Sequence, residues 1–154
     1  MRITVLGAGA WGTTLAKLLA EADHTVTLCG HAERLAAIRV LGRNEHFLPG
    51  IGLPKDLRLE PDPGKALTES EGTVVAIPSA SFRAAAEPLA DFEGIAVTVT
   101  KGVEHESGLT MSGILAECAP GARLAALSGP SLAIEVARGI PTALVSASGD
   151  EAVA

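Results

Sequence analysis

The most constraining stretch of this sequence is its start, where Ile3-Thr4-Val5-Leu6 runs directly into Gly7-Ala8-Gly9-Ala10-Trp11-Gly12. A short β-branched run, a G-x-G-x-x-G pattern and then Leu15, Leu18 and Leu19 at helical spacing require a strand, a tight turn and a helix in succession. Trp11 to Ala22 reads as that helix, Asp23-His24 as a turn, and Thr25 to Cys29 as a second strand. The unit is βαβ, at the length of about 30 residues that a parallel crossover needs.

The alternation continues. Glu33 to Leu41 suits a helix, and Arg43 to Asp56, interrupted by Pro49, Gly50, Gly52 and Pro54, suits a loop. Leu57 to Leu59 reads as a short strand, Lys65 to Ser70 as a short helix, and Thr73 to Ile77 as a central strand. Ser81 to Ala90 is helical in pattern, with Pro88 expected to kink or shorten it. Strands at Ile95 to Thr100, Arg123 to Leu127 and Thr142 to Ser146 alternate with helices at Leu109 to Cys118 and Leu132 to Arg138. The expectation is a doubly wound, mostly parallel α/β sheet of the Rossmann type over residues 1–148. Residues 149–154, with Asp150 placed as a cap, read as the start of a linker helix cut at a domain boundary.

With one Trp, three Phe and no Tyr, the core must be built from Ala, Val, Leu and Ile, which suits thin parallel strands covered by helices. A net charge of −6 argues against a general nucleic-acid or acidic-membrane surface, without excluding a local basic pocket for one anion. Cys29 and Cys118 form no CxxC or Cys/His cluster, and His24, His46 and His105 show no metal-ligand spacing. No apolar run is long enough to span a membrane. The sequence therefore reads as a cytoplasmic protein with reduced thiols, no metal and no membrane or nucleic-acid partner.

Each glycine of the opening motif has a separate reason to be there. Gly7 permits the turn, Gly9 lets a pyrophosphate approach the backbone, and Gly12 lets the helix pack closely on the strand. The helix start then presents unpaired N–H groups and a partial positive charge to phosphates. NAD sites usually carry a carboxylate at the tip of the second strand. Here that strand ends Cys29-Gly30-His31. His31 and Arg34 suit a 2′-phosphate, Arg more strongly, whereas Glu33 turned inward would favour NAD. The expectation is a site that takes NADP and tolerates NAD.

Further polar signals follow the later strands: Pro78-Ser79, Lys101-Gly102 and Ser128-Gly129-Pro130-Ser131. In a parallel open sheet these share the carboxyl edge, where ligands bind. Lys101 is either an anion contact or a surface lysine, and Ser128 to Ser131 either a ligand loop or a capped helix start. Glu104 and Glu106 beside His105 read as a solvated loop.

The ordered set of Gly7 to Gly12, Asn44 with Phe47-Leu48-Pro49-Gly50, Thr100-Lys101-Gly102, Ser128 to Ser131 with Ala133 and Glu135, and Gly139 to Ala143 resembles one family. It is similar to the N-terminal domain of bacterial NAD(P)-dependent glycerol-3-phosphate dehydrogenase, from the first strand to the last. The resemblance implies cofactor contacts at Ala10, Trp11, His31, Phe47, Lys101 and Ala133, with Lys101, Gly129 and Ser131 also meeting glycerol 3-phosphate or dihydroxyacetone phosphate. It implies that a helical C-terminal domain supplies the catalytic lysine, so none of these residues is assigned catalysis and the isolated domain is expected to be inactive. A homodimer of the full-length enzyme is compatible with it.

The sequence departs from the family pattern at Ala10, where serine is usual, at Cys29, where Trp is common, and at His31, where Arg is a frequent alternative. These bear on cofactor preference. Two other readings share the glycine fingerprint: another 6-phosphogluconate-dehydrogenase-like oxidoreductase, and a non-catalytic nucleotide-sensing Rossmann module.

Overall fold

A computed structural model describes residues 1–154. The chain begins in the middle of its sheet with β1 (Arg2–Leu6) and builds outward through α1 (Ala10–Glu21), β2 (Thr25–Cys29), α2 (Ala32–Leu41) and β3 (Arg58–Glu60). After α3 (Pro63–Leu67) it crosses to the other side of β1 as β4 (Gly72–Val75). It continues through α4 (Phe82–Ala86), β5 (Ile95–Thr98), α5 (Met111–Cys118), β6 (Arg123–Ser128), α6 (Ala133–Ala137) and β7 (Val145–Ser148). The sheet has seven strands in the order β3-β2-β1-β4-β5-β6-β7. Every pair is parallel except β6 with β7. This is the doubly wound fold expected from the sequence.

The strand order reverses between β1 and β4, and such a switch point leaves a crevice at the carboxyl ends of the strands. The register keeps those ends level. Leu6 lies opposite Cys29 and Val75, and Val75 lies opposite Thr98. The next residues along each strand, Gly7, Gly30, Ala76 and Val99, therefore meet along one edge.

Successive strand residues point to opposite faces, which gives two cores. Val5, Val26 and Leu28 pack with Ala16 of α1 and with Leu35 and Ile38 of α2. Leu6, Cys29 and Val75 pack on the other face with Phe82, Ala86, Met111, Ile114 and Leu115. Two of the three phenylalanines, Phe82 and Phe92, are spent in this second core. The third, Phe47, stays partly exposed beside the crevice.

Several boundaries differ from the sequence reading for local reasons. The stretch from Ser81 to Ala90 is split into α4 and two flanking 3₁₀ turns, the second containing Pro88, which has no N–H for an α-helical bond. α3 starts earlier than expected because Asp62 Oδ1 accepts the Lys65 N–H at 3.1 Å and Pro63 fits the first helical position. The last strand is shifted from Thr142–Ser146 to Val145–Ser148. It turns back antiparallel, with Ser148 Oγ donating to the Leu124 carbonyl at 2.6 Å. Residues 149–154 form turns in which Asp150 Oδ1 accepts the Ala152 N–H at 3.0 Å.

Candidate cofactor cleft

Three glycines shape the turn from β1 into α1, each by a different contact. Gly7 has φ +114°, and a Cβ there would lie 2.4 Å from the Ala76 carbonyl oxygen, so it closes the β1–β4 switch point. A Cβ on Gly12 would lie 1.9 Å from the Gly7 carbonyl oxygen, which holds α1 hard against the strand end. Gly9 is the opposite case, with nothing within 4 Å of its ideal Cβ. Its Cα faces open space in front of the start of α1. Gly9 is also the N-cap and offers no side chain to the first-turn N–H groups, and that turn contains no acidic residue. Those donors are left for a ligand.

The second strand approaches just as closely. A Cβ on Gly30 would come within 2.7 Å of Ala8 Cβ, so the end of β2 and the glycine turn form one continuous wall. Behind it, Asn44 is 2 % exposed and donates from Nδ2 to the Ala8 carbonyl at 3.0 Å and to Thr13 Oγ1 at 2.8 Å. Its Oδ1 accepts the Phe47 N–H at 3.4 Å. One buried amide thus ties the long loop after α2 to the glycine turn.

These walls enclose a cleft of about 1000 Å³, lined by Gly7, Gly9, Ala10, Trp11, His31, Arg34 and Phe47 on the β1–β2 side. Pro78, Ala84, Ala85 and Pro88 line it from the α4 side, and Val99 and Thr100 from the end of β5. No aspartate or glutamate is among its lining residues, and Arg34 is its cation. The Arg34 guanidinium lies 4.4 Å from the centre of the Phe47 ring, and His46 meets the same ring edge-on. Glu33 is exposed and outside the lining. Cys29 sits in the wall with its thiol pushed up to about 11 by burial, reinforced by Glu60 and Asp62, so it adds no charge near neutral pH.

The other residues singled out from the sequence lie around this cleft. Gly12 is behind Gly7. Lys101 is exposed just past the lining residue Thr100, and its Nζ donates to the Gly129 carbonyl at 2.9 Å. Gly129 in turn accepts the Ser131 N–H at 3.0 Å. The lysine loop and the Ser128–Ser131 segment are therefore brought together at the carboxyl edge of β5 and β6. Ala133 is set back, its carbonyl accepting Thr14 Oγ1 at 3.1 Å where α6 packs on α1. Glu104, expected in a solvated loop, is instead bound by Arg83 in a two-pronged ion pair. The sequence reading used Asn44 only as part of the family resemblance and Gly30 only as the end of the second strand; it assigned neither a place in the site, because their contacts are to residues distant in the chain. No helix is long and apolar enough to cross a membrane.

Comparison with known proteins agrees with this geometry. The family model described as the N-terminus of NAD-dependent glycerol-3-phosphate dehydrogenase matches residues 2–154. The chain is 44 % identical over 158 residues to the glycerol-3-phosphate dehydrogenase [NAD(P)+] of Thiobacillus denitrificans, covering 100 % of this chain and 48 % of that protein. It is 40 % identical over 156 residues to the Mesorhizobium japonicum protein of the same name, covering 99 % of this chain and 46 % of that one. The chain thus spans just under half the length of these curated relatives. The crystal structure of glycerol-3-phosphate dehydrogenase from Coxiella burnetii superposes with a TM-score of 0.90 at 32 % identity, over 98 % of this chain and 47 % of that one.

Proposed function

The chain belongs to the family of NAD-dependent glycerol-3-phosphate dehydrogenase N-termini, and we propose that it holds NADP or NAD for reduction of dihydroxyacetone phosphate to sn-glycerol 3-phosphate. That reaction feeds glycerophospholipid synthesis. The observation that carries the proposal is the open space in front of Gly9, faced by the uncapped start of α1 in a cleft with no acidic lining residue. A dinucleotide pyrophosphate needs such a cradle: close backbone approach, free N–H donors and no repelling carboxylate.

In this reading Gly7 and Gly12 hold the turn, while Gly9, Ala10 and Trp11 receive the pyrophosphate. His31 and Arg34 meet the adenosine ribose, with Phe47 keeping the Arg34 guanidinium in place. Arg34 in the lining and Glu33 outside it favour the 2′-phosphate of NADP, with NAD accepted more weakly. Lys101 meets both the cofactor and the phosphate substrate, Gly129 and Ser131 complete the substrate end of the site, and Ala133 backs the cofactor through α1.

The cofactor supplies the hydride chemistry, and the chain binds, orients and electrostatically tunes it. Lys101 serves in this scheme as an anion contact and not as the general base. The catalytic lysine belongs to the remaining half of the enzyme, and the enzyme is cytoplasmic. Residues 149–154 lead into that half from the cofactor domain of residues 1–148. The test is a chimera joining this chain to the part of the Thiobacillus denitrificans enzyme that it does not match. NADPH oxidation dependent on dihydroxyacetone phosphate is expected. A chimera that folds and binds NADPH but leaves this substrate untouched would overturn the assignment.

A further inference from the structure

Behind the cleft wall, one guanidinium joins three parts of the chain. Arg83 stands on α4 next to the cleft residues Ala84 and Ala85. Its Nε donates to Glu104 Oε1 at 2.9 Å and its Nη2 to Glu104 Oε2 at 2.7 Å, while Nη1 donates to Glu117 Oε2 on α5 at 2.7 Å. Ser107 Oγ donates to Glu104 Oε2 at 2.5 Å. The backbone of Glu104 is held as well, its N–H donating to the Leu109 carbonyl at 2.8 Å and its carbonyl accepting the Gly108 N–H at 2.9 Å. Glu104 therefore closes the turn between β5 and α5 and fastens it to α4, whose Arg83 also holds Glu117 of α5.

Lys101 lies just upstream, between this fastening and a second one. At the cleft, Thr100 Oγ1 donates to the Ile77 carbonyl at 2.7 Å. Gly102 then turns the chain with φ +127°, where an ideal Cβ would be 3.2 Å from Ser79 Cβ. The Lys101 amine itself has only the Gly129 carbonyl, at an exposed position. A long side chain with one weakly enclosed contact keeps most of its rotamer freedom, so its placement depends on the backbone beneath it.

We propose that Glu104, gripped by Arg83, is a positioning residue for Lys101, holding the 100–104 segment so that the amine stays over Gly129 where an anionic phosphate would enter. The inference rests on the reading of Lys101 given above. An isolated surface ion pair contributes little, but a bidentate fork within a network fixes geometry. Arg83 stands in the same helix as cleft-lining residues, so the lysine loop is held in register with the cofactor wall.

The test compares the wild-type chain with Glu104→Gln, Arg83→Lys, Lys101→Ala and the double variant Glu104→Gln/Lys101→Ala. Two measurements are made: the acylation rate of Lys101 by acetic anhydride, read by peptide mass spectrometry, and titration with NADPH and with 2′-phospho-ADP-ribose, which lacks the nicotinamide. In Glu104→Gln, Lys101 is acylated faster and NADPH binds about threefold more weakly, while 2′-phospho-ADP-ribose binds as to wild type. Arg83→Lys, which keeps the charge and loses the fork, gives the same pattern. Glu104→Gln adds nothing to Lys101→Ala. An unchanged acylation rate, or equal loss of both ligands, overturns the proposal. If Lys101→Ala binds NADPH like wild type, the reading of Lys101 fails, and the acylation rate alone then decides whether Glu104 positions the amine.

Discussion

A Cβ on Gly12 would sit 1.9 Å from the carbonyl oxygen of Gly7, whereas a Cβ on Gly9, between them in sequence, would touch nothing within 4 Å. Glycines of one motif are therefore needed for opposite reasons. Gly12 serves the fold, and Gly9 leaves open space in front of the start of α1.

Gly12→Ala should therefore destabilise the protein by about 3 kcal/mol or more, because the clash is with backbone that cannot rotate away. Urea unfolding followed by circular dichroism checks this. A variant within a few tenths of a kcal/mol of wild type would show that α1 can shift without cost.

Asn44→Ala leaves the Ala8 carbonyl and the Thr13 hydroxyl without their buried donor. The expected cost is about 2 kcal/mol, with weaker NADPH binding because the glycine turn loses its brace. Denaturant midpoints and a binding isotherm measure the two effects. Lost stability with unchanged affinity would separate the brace from the site.

Arg34→Gln removes the cation of the cleft lining and its contact with Phe47. NADPH affinity should fall by about tenfold and NADH affinity should change little, since only NADPH carries the 2′-phosphate. Calorimetry at two salt concentrations reads this directly. Equal losses for both cofactors would show that Arg34 supports the wall and does not select the cofactor.

Arg83 and Ser107 hold the Glu104 carboxyl down to about 2. A carboxylate depressed in the folded state contributes stability above its ordinary value of 4.5, and that contribution is lost as pH falls toward 2. Melting temperature should therefore drop more steeply in wild type than in Glu104→Gln between these limits. Parallel slopes would mean that the pair is replaced by solvent at no cost.

The sheet was legible because its signals are local. Ile3 to Leu6, the glycines and the Leu15, Leu18 and Leu19 stripe each declare a strand, turn or helix within a few residues. The antiparallel return of β7 was not, since its register depends on Ser148 reaching the Leu124 carbonyl across the sheet. The cleft divides in the same way. Gly9, Trp11, His31 and Arg34 could be placed by their positions after β1 and β2. The buried role of Asn44 and the grip of Arg83 on Glu104 could not, because each joins segments that no spacing rule connects.

In the proposed function a dinucleotide pyrophosphate lies against Gly9. Its most direct test is calorimetric titration of the wild-type chain and Gly9→Ala with NADPH, alongside their melting temperatures. The added methyl has room in the fold but occupies the phosphate approach, so melting should be unchanged while NADPH affinity falls by about tenfold or more. A folded Gly9→Ala variant that binds NADPH as tightly as wild type would show that the pyrophosphate does not lie against Gly9.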